Sequence, residues 1–232
     1  MDSWTPQPLA TARPKNRTAD YDGFVGAQAT EKNGSPTTTV RASAARERIV
    51  EAAYDLFSRQ GIRAVGVDTI IAQSGVAKMT LYRNFVSKDE LVLEFLWVRE
   101  ERWTRDWLQA EAERRAPTAE GRLLAIFDVF HDWFQLDAFE GCSFVNVLLE
   151  VTDVESPVRR ASVEHLATIR MFVASLAVEA GIEDPDSFAR QWHILMKGSI
   201  VSAGAGDREA ARRAQGLGKL LLADVLPARR VA

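Results

Sequence analysis

The stretch VDTIIAQSGVAKMTLYRNF, residues 67–85, constrains the chain more than any other, because a glycine-led break separates two helical patterns there. Val67, Ile70 and Ile71 recur at helical spacing, and Asp68 puts a carboxylate in the first turn, where the helix dipole favours it. Gly75 supplies the left-handed backbone of a helix stop. After Val76 and Ala77, Leu81 and Phe85 share one face, leaving Lys78, Thr80, Tyr82, Arg83 and Asn84 on the others. That outward set offers cations and hydrogen-bond donors without a carboxylate, which suits a polyanion with base edges to read. Spacing alone leaves a plain scaffolding hairpin open as the alternative.

The flanks supply the partners such a hairpin needs. Ser43 can cap a helix running to about Gln60, with Ala45, Ile49, Ala52, Ala53, Leu56 and Phe57 as its apolar stripe and Gly61 as its stop. Buried against Ile70, Leu81 and Phe85, this stripe gives three short helices around one small core. Arg46 and Arg48, near its start, are within reach of phosphates. Past Phe85, Ser87 and Glu90 make a capping box, and Val86 and Leu91 are set to form a hydrophobic staple. The helix that follows, about 88–114, is apolar on several faces at first. It is expected to become exposed where Arg99, Glu100, Glu101, Arg102 and Arg105 appear, with Trp103 and Trp107 continuing an inward stripe.

Composition bounds the rest. At 232 residues, 47% apolar and 26% charged, the chain can bury a substantial core as a globular protein. The net charge of −3 hides an asymmetry: residues 1–85 carry eleven Lys and Arg against eight Asp and Glu, the remainder eighteen against twenty-four. A basic third and an acidic remainder fit one part for nucleic acid and another for something else. The single Cys142 cannot form an internal disulfide, so a reducing cytoplasm is expected. No uninterrupted apolar run approaches ~20 residues, and neither a membrane span nor a secretory signal is expected.

Residues 1–42 read as a disordered tail, too sparse in Trp4, Leu9, Tyr21, Phe24 and Val25 to build a core. From 117 onward the pattern is helical throughout, with starts at Thr118, Ser156–Pro157, Asp184–Pro185 and Asp207. The fold class is all-α: a helix-turn-helix domain at 43–86, then a helical bundle at 87–226. Trp103, Trp107, Phe127, Phe130, Trp133, Phe134, Phe144, Phe172 and Trp192 are numerous enough to line an apolar cavity, with Asn146, Glu150 and Arg170 as polar residues beside it. Plain core is the alternative for any one of these rings. His131, His165 and His193 show no metal-ligand spacing, and no nucleophile–base pair, paired carboxylates, phosphate loop or cofactor motif is visible. Neither a catalytic site, a metal nor a cofactor is expected.

From about Ala45 to Leu93 the chain resembles the DNA-binding domain of the TetR family of transcriptional regulators, whose recognition helix runs into an LYxxF-x-SK-x-x-L segment. Here that segment is LYRNFVSKDEL, Leu81 to Leu91, with Gly75 and Val76 at the turn. Gly66 and Ala77 depart from the pattern, standing where capping hydroxyls are usual. Ile71 also departs, replacing a small residue at the helix contact. The resemblance implies that Lys78, Thr80 and Arg83 face base edges or nearby phosphates and that Tyr82, Asn84 and Lys88 hold phosphates, with Arg46, Thr69 and Met79 completing the set. It further implies a homodimer on double-stranded DNA, with Leu195, Gly198, Val201 and Leu217 as interface contacts, and a small apolar or aromatic effector in the C-terminal half. The alternative is a DNA-binding regulator or architectural protein with no small-molecule ligand.

Overall fold

The computed structural model describes residues 36–226, and every regular element among them is a helix. Helix α1 spans Pro36–Gln60, α2 Val67–Ser74 and α3 Lys78–Asn84. Helix α4, Lys88–Arg99, runs without a break through a π-helical stretch, Glu100–Gln109, into α5, Ala110–Arg115. Then come α6 (Ala119–Phe134), α7 (Ser143–Glu150), α8 (Pro157–Glu179), α9 (Pro185–Gly204) and α10 (Ala210–Val225). The expected tail at 1–42 falls largely outside the described residues. Where the two overlap, α1 starts at Pro36, upstream of the expected Ser43 cap. Thr37, Thr38 and Thr39 are weak helix formers and carry no apolar stripe, so periodicity gave no sign of the added turns.

The first three helices close around one core. Ile49, Ala53, Ile70 and Phe85 are wholly buried, and Leu56, Phe57 and Leu81 nearly so. Helix α4 leaves this core and packs against α1 at one end and α8 further along. Helices α6, α8, α9 and α10 form the bundle that receives it, with α7 laid on α8. Two capping side chains stand where the sequence puts them: Thr118 Oγ1 accepts from the Gly121 amide at 3.2 Å, and Asp184 Oδ1 from the Ser187 amide at 3.0 Å.

The middle of the long helix departs from expectation. Arg99 and Glu100, expected at the surface, are 5% and 3% exposed. Each is buried because a remote partner satisfies it by hydrogen bonding. Arg99 donates to Glu140 Oε1 at 2.7 Å and to the Tyr54 hydroxyl at 3.0 Å. Glu100 accepts from Arg105 Nη2 at 2.9 Å and pairs through its other oxygen with Nδ1 of His165 on α8, whose ring stacks on Phe144 with centroids 5.1 Å apart. Burial pushes the Glu100 carboxyl up, but the hydrogen bonds from His165 and Arg105 and their charges outweigh it and hold the group below its ordinary 4.5.

A carboxylate held low in the native state stabilises the fold above its unfolded value and loses that contribution as pH falls through the native one. Glu100→Gln is therefore expected to cost on the order of 3 kcal/mol at pH 7, by leaving buried His165 without its carboxylate partner. The difference from wild type should shrink as the pH falls below about 4.5. Urea unfolding of both proteins between pH 7 and pH 3.5 measures this, and a pH-independent difference would refute it.

Candidate nucleic-acid interface

Helix α2 starts without a side-chain cap, since Gly66 has none to offer. It ends at Gly75, whose φ of 64° and ψ of 27° place it in the left-handed region, with its amide donating to the Ile71 carbonyl at 3.0 Å. A side chain there would cost ~1–2 kcal/mol in local strain. Ala77 likewise starts α3 without a side-chain cap. The orientation of α3 is fixed instead by burial of Val76, Leu81 and Phe85 on its inner side.

This burial turns the polar set outward. Lys78, Met79, Tyr82 and Arg83 are exposed, and Thr80 and Asn84 are half-buried. Lys78 Nζ lies 3.5 Å from Asp68 Oδ1, an exposed pair weak enough to exchange for a phosphate. Asn84 donates its amide to the Thr80 carbonyl at 2.8 Å, so part of its hydrogen-bonding capacity is already engaged. Thr69 is exposed on α2, and Lys88 is half-buried at the start of α4. No residue of α3 is acidic.

Arg46, expected at phosphates, is turned inward. It pairs with Glu94 of α4, and its guanidinium carbon lies 5.2 Å from the centroid of the Phe85 ring. It joins α1 to α4 across the hairpin core and is not a free cation for DNA. Arg48 is exposed instead, with Nη1 3.9 Å from where a Cβ on Gly75 would stand. Helical phase separates the two arginines: one falls over the Phe85 ring and the other beside the turn.

Three contacts tie the hairpin to the body. In the first, Ser87 Oγ accepts from the Glu90 amide at 3.1 Å, while Glu90 Oε2 accepts from the Val86 amide at 2.7 Å, one residue before the usual partner. The expected staple does not form: Val86 is 84% exposed while Leu91 is 1% exposed, and Phe85 fills the joint. The second is the Arg46–Glu94 pair. The third has no local signal in sequence. Glu150, the last residue of α7, accepts from the Arg63 amide at 2.7 Å and the Ile62 amide at 3.3 Å. These amides sit just after Gly61, whose φ of 80° ends α1, and a Cβ on Gly61 would lie 2.5 Å from Glu150 Oε1.

The residues expected to line a ligand cavity divide. Trp103, Trp107, Phe130 and Trp133 contact one another ring to ring, with centroids 5.1–6.2 Å apart. Phe134 joins them through Phe130, and Phe127 sits 5.2 Å from Trp192. Phe127, Phe130, Phe134, Phe144 and Trp192 are at most 1% exposed. These rings, Phe144 apart, pack against one another. Phe172 borders an open groove with Arg105, Arg122 and Glu179, and Asn146 borders a separate cavity between α7 and α9. Of the expected interface residues, Val201, Leu217 and Gly198 are exposed and Leu195 is half-buried. Ile194 and Leu220 add to the exposed apolar set of α9 and α10, and these four large residues are 55–69% exposed.

A buried hairpin presenting an acid-free, donor-rich short helix defines a helix-turn-helix DNA-binding protein. Residues 49–95 match the family described as bacterial regulatory proteins, tetR family, and residues 119–216 match the tetracyclin repressor-like C-terminal domain. The chain belongs to the TetR family of transcriptional regulators. Among solved structures, the TetR-family transcriptional regulator SCO4454 from Streptomyces coelicolor is similar at 31% identity and a TM-score of 0.73, over 80% of this chain and 97% of that one. The TetR-type protein sav143 from Streptomyces avermitilis is similar at 29% identity and a TM-score of 0.70, over 78% and 97% of the two chains. The reduced form of NemR from E. coli shares the fold at 18% identity and a TM-score of 0.69, over 81% and 100%. No curated protein matches the chain significantly.

Arg83→Ala is expected to cost ~1–3 kcal/mol on a preferred duplex and to flatten discrimination among sequences. Lys88→Ala and Tyr82→Ala should weaken binding to all duplexes alike, the lysine change lowering the salt slope by about 1. Fluorescence anisotropy on preferred and random duplexes across a salt series distinguishes these roles.

Proposed function

We propose that the protein is a ligand-responsive repressor that reads an inverted-repeat operator as a homodimer and is released by a small effector carrying an apolar or aromatic body. The observation that carries the reading is the outward face of α3, cationic and donor-rich with no carboxylate, on a helix whose other side is locked into core. Double-stranded DNA supplies both the phosphates and the base edges that such a face fits. The exposed apolar residues of α9 and α10 support a dimer through a four-helix contact, with Val201 and Leu217 at its centre. Two recognition helices would then stand about 34 Å apart, one turn of duplex. The place of action is the cytoplasm, in keeping with one cysteine, Cys142, whose thiol burial pushes up.

A second reading, a DNA-binding regulator or architectural protein without a small-molecule ligand, draws on the packing of the aromatic rings against one another. The cavity of about 480 Å³ between α7 and α9 weighs for the first. Selection from a random duplex pool is expected to return a palindrome with half-sites one helical turn apart. Val201→Asp/Leu217→Asp should be monomeric in sedimentation and bind that palindrome at least ~100-fold more weakly, because the second half-site contact is lost. Recovery of unrelated sequences, with equal affinity for operator and random DNA, would overturn the reading.

A further inference from the structure

The cavity between α7 and α9 has walls of mixed character. Val145 and Leu149 of α7 and Ile200 and Val201 of α9 supply apolar surface, Val201 being also at the proposed dimer contact, and Asn146 adds an amide and Lys197 a cation. Glu140 also borders it, but its carboxylate is taken by Arg99 at 2.7 Å. Lys197 is half-buried and has no carboxylate within ion-pair reach among the described residues. Arg170 of α8 is in the same position. Burial, then the positive charges of Lys197 and Arg170, press the His193 imidazole down to about 3, so it is neutral and adds no charge of its own. A half-buried cation without a counter-ion, at the edge of an apolar cavity, is complementary to an anion with an apolar body.

Helix α7 connects this cavity to the DNA-reading hairpin. Asn146 and Leu149 border the cavity, and the next residue, Glu150, holds the Ile62 and Arg63 amides. Arg159 of α8 clamps the end of α7 by donating to the Leu148 and Val151 carbonyls at 2.8 and 2.7 Å. A molecule wedged beside Leu149 therefore acts on a helix end that is pinned to α8 on one side and to the α1–α2 loop on the other.

We propose that the cavity between α7 and α9 binds an amphipathic organic anion, with its head on Lys197 and its body against Val145, Leu149 and Ile200, and that occupancy reaches the hairpin through Glu150. This rests on the reading of the chain as a ligand-responsive regulator. It specifies the ligand as anionic, places the site away from the aromatic cluster and names the contact that transmits the signal. The ligand shifts DNA affinity only as far as it binds one arrangement of α7 more tightly than the other.

The test uses the full chain with decanoate and 2-naphthalenesulfonate as anionic probes and decanol as a neutral one, followed by titration calorimetry. At least one anion is expected to bind wild type. Lys197→Met should weaken that binding about tenfold or more while leaving decanol within about twofold. Leu149→Trp, at an exposed rim position, should abolish it without altering thermal stability. In Glu150→Gln the anion should still bind, but it should no longer change affinity for the selected palindrome. Binding of no anion to wild type, or undiminished binding to both cavity variants, overturns the site. So does a Lys197→Met protein that loses dimerisation rather than ligand, because the cation would then belong to the partner copy. An undiminished DNA response in Glu150→Gln overturns the transmission. Any of these failures with palindrome binding intact leaves the regulator reading in place, whereas loss of sequence-specific DNA binding in wild type would remove that reading itself.

Discussion

Burial of Phe85 is the constraint on which the remaining geometry depends. Its ring, wholly enclosed, lies where α3 ends, beneath Arg46 of α1 and just before the cap of α4. A fully buried phenylalanine contributes ~1.5–3 kcal/mol from area alone. Its larger consequence is positional. With Phe85 and Leu81 turned inward, the helical period points Met79 and Arg83 outward, while Lys78, in the phase of Phe85, is exposed because it lies in the first turn. The same ring leaves Val86 no place in the core, which is why the exit from the hairpin is set by hydrogen bonds to Glu90 rather than by a staple.

Elements with local causes were legible in the sequence. Gly75 as a left-handed stop, Ser87 and Thr118 as caps and the apolar stripe of α1 each follow from chemistry within a few residues, and each stands where periodicity put it. The misses share a different cause. Arg99 and Glu100 looked exposed because charge is normally solvated, yet their partners Glu140 and His165 lie forty or more residues away. Arg46 and Arg48 lie on different faces of α1, but which of those faces is buried depends on Phe85 and Glu94, distant in sequence. The aromatic residues read equally well as cavity or core, because composition does not tell whether rings meet face to edge or leave a gap.

The π-helical stretch and α7 show how buried charged groups tie the C-terminal helices to one another and to α1. Glu100, at the first residue of the stretch, is anchored to α8 through His165, and Arg99 immediately before it is anchored to α1 and to the segment before α7 through Tyr54 and Glu140. The long helix is thus pinned near its middle by a buried ion pair, Arg99–Glu140, and a buried carboxylate–imidazole contact, Glu100–His165, pointing different ways. Buried pairs of this kind contribute little net stability but penalise alternative registers heavily, because sliding the helix would leave charges unpaired in the core. Helix α7, by contrast, is short, ends at Glu150 and has a cavity along one side.

The weak helix starts of the hairpin fit this arrangement. Alanine in place of a capping hydroxyl costs ~1 kcal/mol and glycine a few tenths, and both α2 and α3 begin with such a residue. Helices of eight and seven residues cannot hold themselves in water, so their order comes from tertiary contacts. Among those contacts, the two backbone amides taken by Glu150 lie just before α2 and belong to no helix of their own. An orphan amide satisfied by a carboxylate is a charge-assisted contact, stronger than a neutral hydrogen bond and sensitive to displacement of a few tenths of an ångström. A hairpin with under-capped helices is consequently more dependent on that carboxylate than a fully capped one would be.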